Sequence, residues 1–229
     1  MAAWIGIQCR SDSSRLPGKF KLKLGPYTLL EWVVHTARFV AAPNVAVLTP
    51  YGDEAVIAEC DRLQVPCFQG SKNDLIKRYM SFMETYQAEH VMRITADCPF
   101  MDRAELFYMF SIAQRFKLDV ATNADSNMPR VIDGFDCEWA SYRTLLWLDK
   151  NAKKDEEREH VFSHLYNGSG WADYFSEEPQ FKYDLTFAMK AYDIHGLHPE
   201  IKLSIDTQEE FDKFNKMVAG KNDRLGDKK

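Results

Sequence analysis

The sequence predicts an α/β protein built on a mostly parallel sheet, and three observations carry that prediction. Short β-branched runs alternate with stretches whose apolar residues recur at helical spacing, in the order strand, helix, strand, helix. The first run, Trp4-Ile5-Gly6-Ile7, empties into a polar loop rich in small residues, as the first strand of such a sheet does at its carboxyl edge. At 229 residues and 45% hydrophobic content, the chain has enough apolar material for one substantial core. One domain over 1–219 is expected, with a subsidiary lobe at 167–200 and a polar, frayed tail from 220 to 229.

The loop after the first strand reads Gln8-Cys9-Arg10-Ser11-Asp12-Ser13-Ser14-Arg15-Leu16-Pro17-Gly18-Lys19. Backbone N–H groups, small hydroxyl residues and the cations Arg10, Arg15 and Lys19 together offer a site for one clustered anion, and a polyphosphate is the obvious one. The bland alternative is a surface loop with solvated charges. The loop has neither the G-x-x-x-x-G-K-S/T nor the G-x-G-x-x-G spacing, which disfavours P-loop and dinucleotide readings.

Over 27–41, Leu29, Leu30, Val33, Val34 and Ala37 predict a core-facing helix, closed by Pro43. A short strand over 44–49 follows, and Asp53 caps a helix reaching about Leu63. A third strand over 65–68 leads into Gly70 and Ser71, with Asp74 able to cap the next helix. The fourth strand, 90–95, ends in Ala96-Asp97-Cys98-Pro99. A carboxylate at a strand's carboxyl edge, beside a proline that fixes the backbone, is placed to bind a metal, which makes Asp97 a candidate ligand. Asp102, followed by Glu105, reads instead as a helix cap.

A further strand is expected at 118–123 and a polar loop at 125–130. Asp136 and Glu138 then alternate as on one strand face; a carboxylate pair of this kind binds sugar hydroxyls or helps a metal, and an exposed face with two ordinary acids is an equal alternative. Helices are expected at 141–150 and 156–166, the second placing His160 and His164 four apart. That spacing suits zinc, but no third ligand accompanies it, and zinc binding is not expected. Between 167 and 200 lie many aromatics, among them Trp171, Tyr174, Phe181 and Phe187, whose default role is core packing. An alternating strand over 201–205 delivers Asp206 at its end, and Thr207 or Asp206 then starts a helix with Phe211, Phe214 and Val218 on one face.

Several of these segments together resemble the nucleotide-sugar cytidylyltransferases, the family of the spore coat polysaccharide biosynthesis protein F, related to synthetases that activate 3-deoxy-manno-octulosonate and sialic acids with CTP. The family's Q-A-R followed by S-x-R-L-P-G-K corresponds to 8–19, with Cys9 for the alanine and Asp12 where a small neutral residue is usual. G-S-x-x-D-L-x-x-R-Y corresponds to 70–79, R-I-T-G-D-C-P to 93–99 with Ala96 for the glycine, P-D-G-x-D-V-E-V to 132–139 with Ile132 for the proline, R-E-H to 158–160 and V-D-T-P-E-D to 205–210. The resemblance implies a Rossmann-like, three-layer nucleotide-diphospho-sugar transferase fold and magnesium-dependent transfer of CMP from CTP to a small sugar-like acceptor. Residues Gln8, Cys9, Arg10, Ser11, Ser13, Arg15, Gly18, Lys19, Gly70 and Ser71 would bind CTP, with Asp97 and Asp206 holding Mg2+. Arg10 and Lys19 would act in catalysis with the two aspartates, and Asp136, Glu138, Arg158, Glu159 and His160 would bind the acceptor. The 167–200 segment would cap the acceptor or form a homodimer contact.

Composition bounds the partners. With 29 basic and 34 acidic residues, a net charge of −5 argues against a broad nucleic-acid or membrane surface while permitting one local basic pocket. Five scattered cysteines without a C-x-x-C suggest neither a disulfide framework nor a zinc ribbon and suit a reducing cytoplasm. No apolar run approaches membrane-spanning length, so a soluble, unprocessed cytoplasmic protein is expected. Two other readings stay open: a glycosyltransferase consuming a nucleotide sugar, disfavoured by the R-L-P-G-K loop, and an inactive nucleotide-binding protein, with Asp12 and Ala96 as signs of decay.

Overall fold

A computed structural model describes residues 2–124, 132–167, 169–177, 183–184 and 202–226. Its sheet has seven strands: β1 (Ala3–Gln8), β4 (Val45–Pro50), β5 (Cys67–Gly70), β6 (His90–Thr95), β7 (Val120–Thr122), β8 (Glu138–Ser141) and β9 (Tyr183–Asp184), in the order β5-β4-β1-β6-β8-β7-β9. The β5-β4-β1-β6 half is parallel throughout, while β8 lies antiparallel between β6 and β7. A separate two-stranded hairpin pairs β2 (Lys23–Leu24) with β3 (Tyr27–Thr28).

Alternation along the strands divides the core into two layers. Ile5 and Ile7 of β1, Val45 and Val47 of β4, and Met92 and Ile94 of β6 face α1 (Leu29–Ala41), α2 (Glu54–Leu63) and α4 (Arg103–Phe116). Ala46, Leu48 and Val91 face α3 (Leu75–Thr85) and α5 (Tyr142–Asn151). With both faces covered, every residue of β4 is buried, which is why its sequence opens on the apolar run Val45-Ala46-Val47-Leu48. Three-layer α/β architecture is therefore what the chain forms.

Several helix starts follow their predicted caps. Asp53, Asp74 and Asp102 accept from Val56 N, Lys77 N and Glu105 N at 3.3, 2.9 and 2.9 Å. The first predicted helix begins two residues late, because Tyr27 and Thr28 pair in the hairpin and Thr28 then caps α1 in a capping box with Glu31.

Three expectations need correction. The helix expected at 156–166 is two short ones, α6 (Asp155–Glu159) and α7 (Ser163–Tyr166), separated by a turn in which Ser163 N donates to His160 O at 2.9 Å. His160 and His164 thus share no helical face. The strand expected at 201–205 does not form among the described residues: Lys202 makes one isolated bridge to Asp133, Leu203 N donates to Asp133 O at 2.7 Å, and Ile205 N donates to Asp97 O at 2.9 Å. Those two partners lie outside the named strands, so the segment is a strap rather than a ladder. β8 begins only at Glu138, so Asp136 precedes the strand instead of sharing a face with it.

α8 (Gly170–Glu177) packs Tyr174 against α5, and α9 (Gln208–Gly226) places Phe211, Phe214 and Val218 in one cluster with Leu24 and Leu29. The backbone of α9 runs to Gly226, past the expected start of the tail. The expected loop at 125–130 and most of the predicted 167–200 lobe, including Phe181 and Phe187, lie outside the described residues. Among the described residues no helix is long and apolar enough to cross a membrane.

Candidate active site

Parallel pairing of β1 with β6 puts Gln8 opposite Thr95, so Cys9-Arg10 and Ala96-Asp97 leave the sheet side by side at its carboxyl edge. Ala96 N donates to Gln8 O at 3.0 Å and ties the two exits together. The loop that follows β1 closes on itself where Gly18 N donates to Ser11 O at 2.8 Å. Gly18 has φ +69°, a left-handed conformation that costs a side-chain-bearing residue energy, and it turns Lys19 inward. Ser11 N donates to Asp53 Oδ2 at 2.8 Å, so the carboxylate that caps α2 also pins the loop.

Lys19 then meets two carboxylates from distant parts of the chain. Its Nζ donates to Asp97 Oδ2 at 2.6 Å, to Asp206 Oδ1 at 2.9 Å and to Ile205 O at 3.1 Å. Arg15 reaches the same Asp206 oxygen at 2.8 Å. Lys202 holds the other, Oδ2, at 2.9 Å and Glu210 Oε1 at 2.7 Å, while Glu210 Oε2 accepts from Asp206 N and Thr207 N at 2.7 and 3.0 Å. Burial pushes the Asp206 carboxyl up, but the hydrogen bonds from Lys202 and Lys19 outweigh it and hold its pKa below the ordinary carboxylate value.

These groups open on a cavity of about 240 Å³, whose walls carry the cations Arg10, Arg15, Lys19, Lys72, Arg78 and Arg93 against the carboxylates Asp97, Glu159 and Asp206. Of the other residues the resemblance assigns to CTP, Gln8, Cys9 and Ser13 also line it, whereas Ser11 and Gly18 shape the loop behind it. Gly70 and Ser71 sit one layer back, under Arg78. A Cβ on Gly70 would stand 2.5 Å from Arg78 Cγ, and Ser71 O accepts from Arg78 Nε and Nη2 at 2.8 and 2.5 Å. Arg78 is only 2% exposed, and burial pulls its pKa down. A buried guanidinium supported by carbonyls in a cavity wall is a candidate site group that helical position alone does not reveal; the Arg-Tyr closing the 70–79 motif is its only trace in the sequence.

Lys72 was not anticipated either. It pairs with Asp12 at 2.5 Å, and Arg10 lies 3.9 Å from the same carboxylate. The hydrogen bond from Lys72 holds the Asp12 pKa down. Asp12 is thus matched by cations at the cavity's rim and does not line the cavity itself.

The acceptor-side predictions separate. Glu159 and His160 line the cavity, with Glu159 Oε1 3.5 Å from Arg10 Nη1. Glu138 is buried: its Oε1 accepts from Tyr166 OH at 2.7 Å and its Oε2 from Arg93 Nη1, while Arg93 Nε donates to Gln8 Oε1 at 2.8 Å. Its carboxylate supports Arg93 and Gln8 from behind and does not line the cavity, so it fits neither the acceptor-binding pair nor the exposed face that the sequence left open. Burial pulls the Arg93 guanidinium down, but the charge of Glu138 outweighs it and raises its pKa. Asp136 is half-buried before β8 and also lies outside the cavity lining.

Arg158 is placed elsewhere. It bonds Asp74 at 2.7 Å, the Asp149 carboxylate, and the carbonyl of Ala152 at 2.9 Å, fastening α6 to α3 and α5. Burial pushes Asp149 up, but Lys77 and Arg158 outweigh it and hold its pKa below the ordinary value. Stability from this carboxylate is therefore present above about pH 4 and lost as pH falls further. Asp149→Asn is expected to lower unfolding free energy at pH 7 by about 1 kcal/mol, converging with the parent protein at pH 3. Urea unfolding at the two pH values checks this.

The Asp97 and Asp206 oxygens already bracket a cation, the Lys19 ammonium, and hard carboxylate oxygens are what Mg2+ prefers. No group of three or more His, Cys, Asp or Glu gathers among the described residues. An ion here would take its other ligands from phosphate and water, which is the usual habit of Mg2+, so the donor set fits.

The sequence model of a family described as cytidylyltransferase matches residues 5–225. Spore coat polysaccharide biosynthesis protein SpsF of Bacillus subtilis is 26% identical over 227 residues, covering 95% of this chain and 87% of that protein. An uncharacterized protein of Methanocaldococcus jannaschii is 29% identical over 177 residues, 76% of this chain and 70% of that one. Among solved structures, a cytidylyltransferase from Leptospira borgpetersenii superposes with a TM-score of 0.77 at 27% identity, covering 96% of this chain and 87% of its own. CMP:2-keto-3-deoxy-manno-octonic acid synthetase, solved with CTP, shares the fold with a TM-score of 0.64 at 15% identity, covering 96% and 100%.

Proposed function

The chain belongs to the cytidylyltransferase family, and on that premise we propose that it transfers CMP from CTP to a sugar, sugar acid or related small acceptor in a magnesium-dependent reaction that releases pyrophosphate. The observation that carries this reading is the convergence of Lys19, Asp97 and Asp206 on one cation-rich cavity at the sheet's carboxyl edge. An acceptor oxygen attacks the α-phosphorus of CTP; the new P–O bond forms as the bond to the β-phosphate's bridging oxygen breaks, and pyrophosphate leaves with that electron pair. Catalysis of this kind rests on positioning and on neutralising charge.

In this scheme Arg10, Arg15 and Lys19 bind the phosphates and neutralise those that depart. Gln8, held by Arg93, and the buried Arg78 line the same cavity and orient the nucleotide. Glu159 and His160 face the acceptor. Asp97 and Asp206 would hold Mg2+, which supplies charge neutralisation at phosphate oxygens. The SpsF relative's part in spore coat polysaccharide synthesis supports an acceptor destined for a surface polysaccharide or glycoconjugate.

The test is pyrophosphate release with each of the four ribonucleoside triphosphates in turn, against sugar acids, sugar phosphates and phosphonates. CTP is expected to support release at least about tenfold faster than UTP, GTP or ATP, and chelation of the metal is expected to stop it. Equal rates with all four would refute the choice of base, and full activity in chelator would refute the metal.

A further inference from the structure

The position of Lys19 has a consequence for how metal and nucleotide enter, if Asp97 and Asp206 are the metal carboxylates as read above. Its ammonium uses its full set of donors on Asp97 Oδ2 (2.6 Å), Asp206 Oδ1 (2.9 Å) and Ile205 O (3.1 Å), and its side chain is 13% exposed. Asp206 is further neutralised by Arg15 on Oδ1 and Lys202 on Oδ2. An ammonium seated between two carboxylates and a divalent ion held by the same two carboxylates would exclude each other, both by volume and by charge.

We propose that Lys19 is a place-holder for the metal: it closes the carboxylate pair in the nucleotide-free protein, and the triphosphate draws it out, so that metal and CTP bind as a coupled pair. The fold makes the exchange inexpensive. Lys19 stands at the end of the loop that lines the cavity, its charge rides on a flexible stem, and a side-chain rotation suffices to carry that charge from the carboxylates toward the phosphates. Until CTP arrives, the cation satisfies two carboxylates that would otherwise repel one another. Afterwards the same cation neutralises the triphosphate, and the oxygens it leaves become available. Linkage requires the coupling to be reciprocal, so metal raises CTP affinity by the factor by which CTP raises metal affinity.

Mn2+ binding to the whole chain, read from the electron paramagnetic resonance of the free ion, tests this without turnover. In the absence of nucleotide, Lys19→Met is expected to bind one Mn2+ about tenfold or more tightly than the parent protein, and Lys19→Met combined with Asp97→Asn is expected to lose the gain. Arg15→Met removes a charge from the same Asp206 oxygen without vacating the bridge, and its gain is expected to be much smaller. Equal gains in the two single variants, or a parent protein that already binds as tightly as Lys19→Met, would overturn the proposal. A second measurement on the parent protein alone guards against misfolded variants: its affinity for α,β-methylene CTP is expected to rise about tenfold with Mn2+, and no rise would also overturn it. Asp97→Asn separates the two levels of the argument. Mn2+ held by the analogue complex irrespective of Asp97 would remove the metal assignment and the place-holder with it; Asp97-dependent Mn2+ binding without any gain in Lys19→Met would remove the place-holder alone.

Discussion

Asp97→Asn is expected to lower kcat for pyrophosphate release from CTP by about 10³-fold or more, equivalent to about 4 kcal/mol of transition-state stabilisation. Asparagine preserves the shape and an oxygen for Lys19 but removes the negative charge that, in the proposed reaction, would hold the metal beside the phosphates. Asp97 stands just past the end of β6, hydrogen-bonded through its carbonyl to Ile205 N, so the backbone that carries it is unaffected by the change. Melting within about 3 °C of the parent protein should therefore accompany the loss. Steady-state pyrophosphate assays with a melting curve check both parts. A loss under about tenfold would mean that Asp97 only stabilises Lys19.

The second large effect concerns stability. Glu138→Ala leaves Arg93 without its carboxylate in a cavity wall where its side chain is 15% exposed, and the unpaired charge is expected to cost about 3–5 kcal/mol, or about 10 °C in melting temperature. Glu138→Gln, which keeps an oxygen for Tyr166, should cost less. The Ala variant should also weaken nucleotide binding, because Arg93 is what fixes the Gln8 amide. Urea unfolding measures the first effect and CTP titration the second. A stability loss below about 1 kcal/mol would show that solvent reaches Arg93 well enough to replace Glu138.

Glu138 also shows where sequence reasoning stops. Alternation of Asp136 and Glu138 read as one strand face, either a binding pair or an exposed one, yet β8 is inserted antiparallel between β6 and β7, and the pairing buries Glu138 behind the cavity wall. Conversely, the 8–19 loop and Asp97 were legible because parallel strands deliver their last residues to one edge, and periodicity identifies those strands. Asp206 was legible as one of two candidate helix starts, a role the structure gives to Thr207, whose hydroxyl accepts from Glu210 N at 3.2 Å; the metal reading of Asp206 came only from the family resemblance. Its approach to Asp97 rests on Lys19 Nζ, which bonds both carboxylates, and on the bond from Ile205 N to Asp97 O, contacts between distant parts of the chain that no spacing encodes. Lys72, Lys202 and Glu210 escaped notice for a related reason: charged residues are common in any sequence, and these three matter only for the groups they meet, Lys72 for Asp12, Lys202 for Asp206, and Glu210 for Lys202 and the Asp206 N–H. The broken helix between α6 and α7 was hidden by a helical period that continues through it, although the break turns His160 toward the cavity while Arg158 is fastened to α3 and α5.

Asp12 bears on the inactive-protein alternative. It pairs with Lys72 and Arg10 and does not line the cavity, so this carboxylate is neutralised outside the proposed nucleotide site rather than exposed within it.

The most direct measurement of the central claim uses CTP radiolabelled at the α-phosphorus, incubated with magnesium and the acceptor panel, with products separated and pyrophosphate counted in parallel. The account predicts label in a CMP-linked product, one pyrophosphate for each, and neither in Asp97→Asn. Label appearing as free CMP or CDP regardless of acceptor, or nucleotide released from a supplied nucleotide sugar while CTP stays intact, would contradict it.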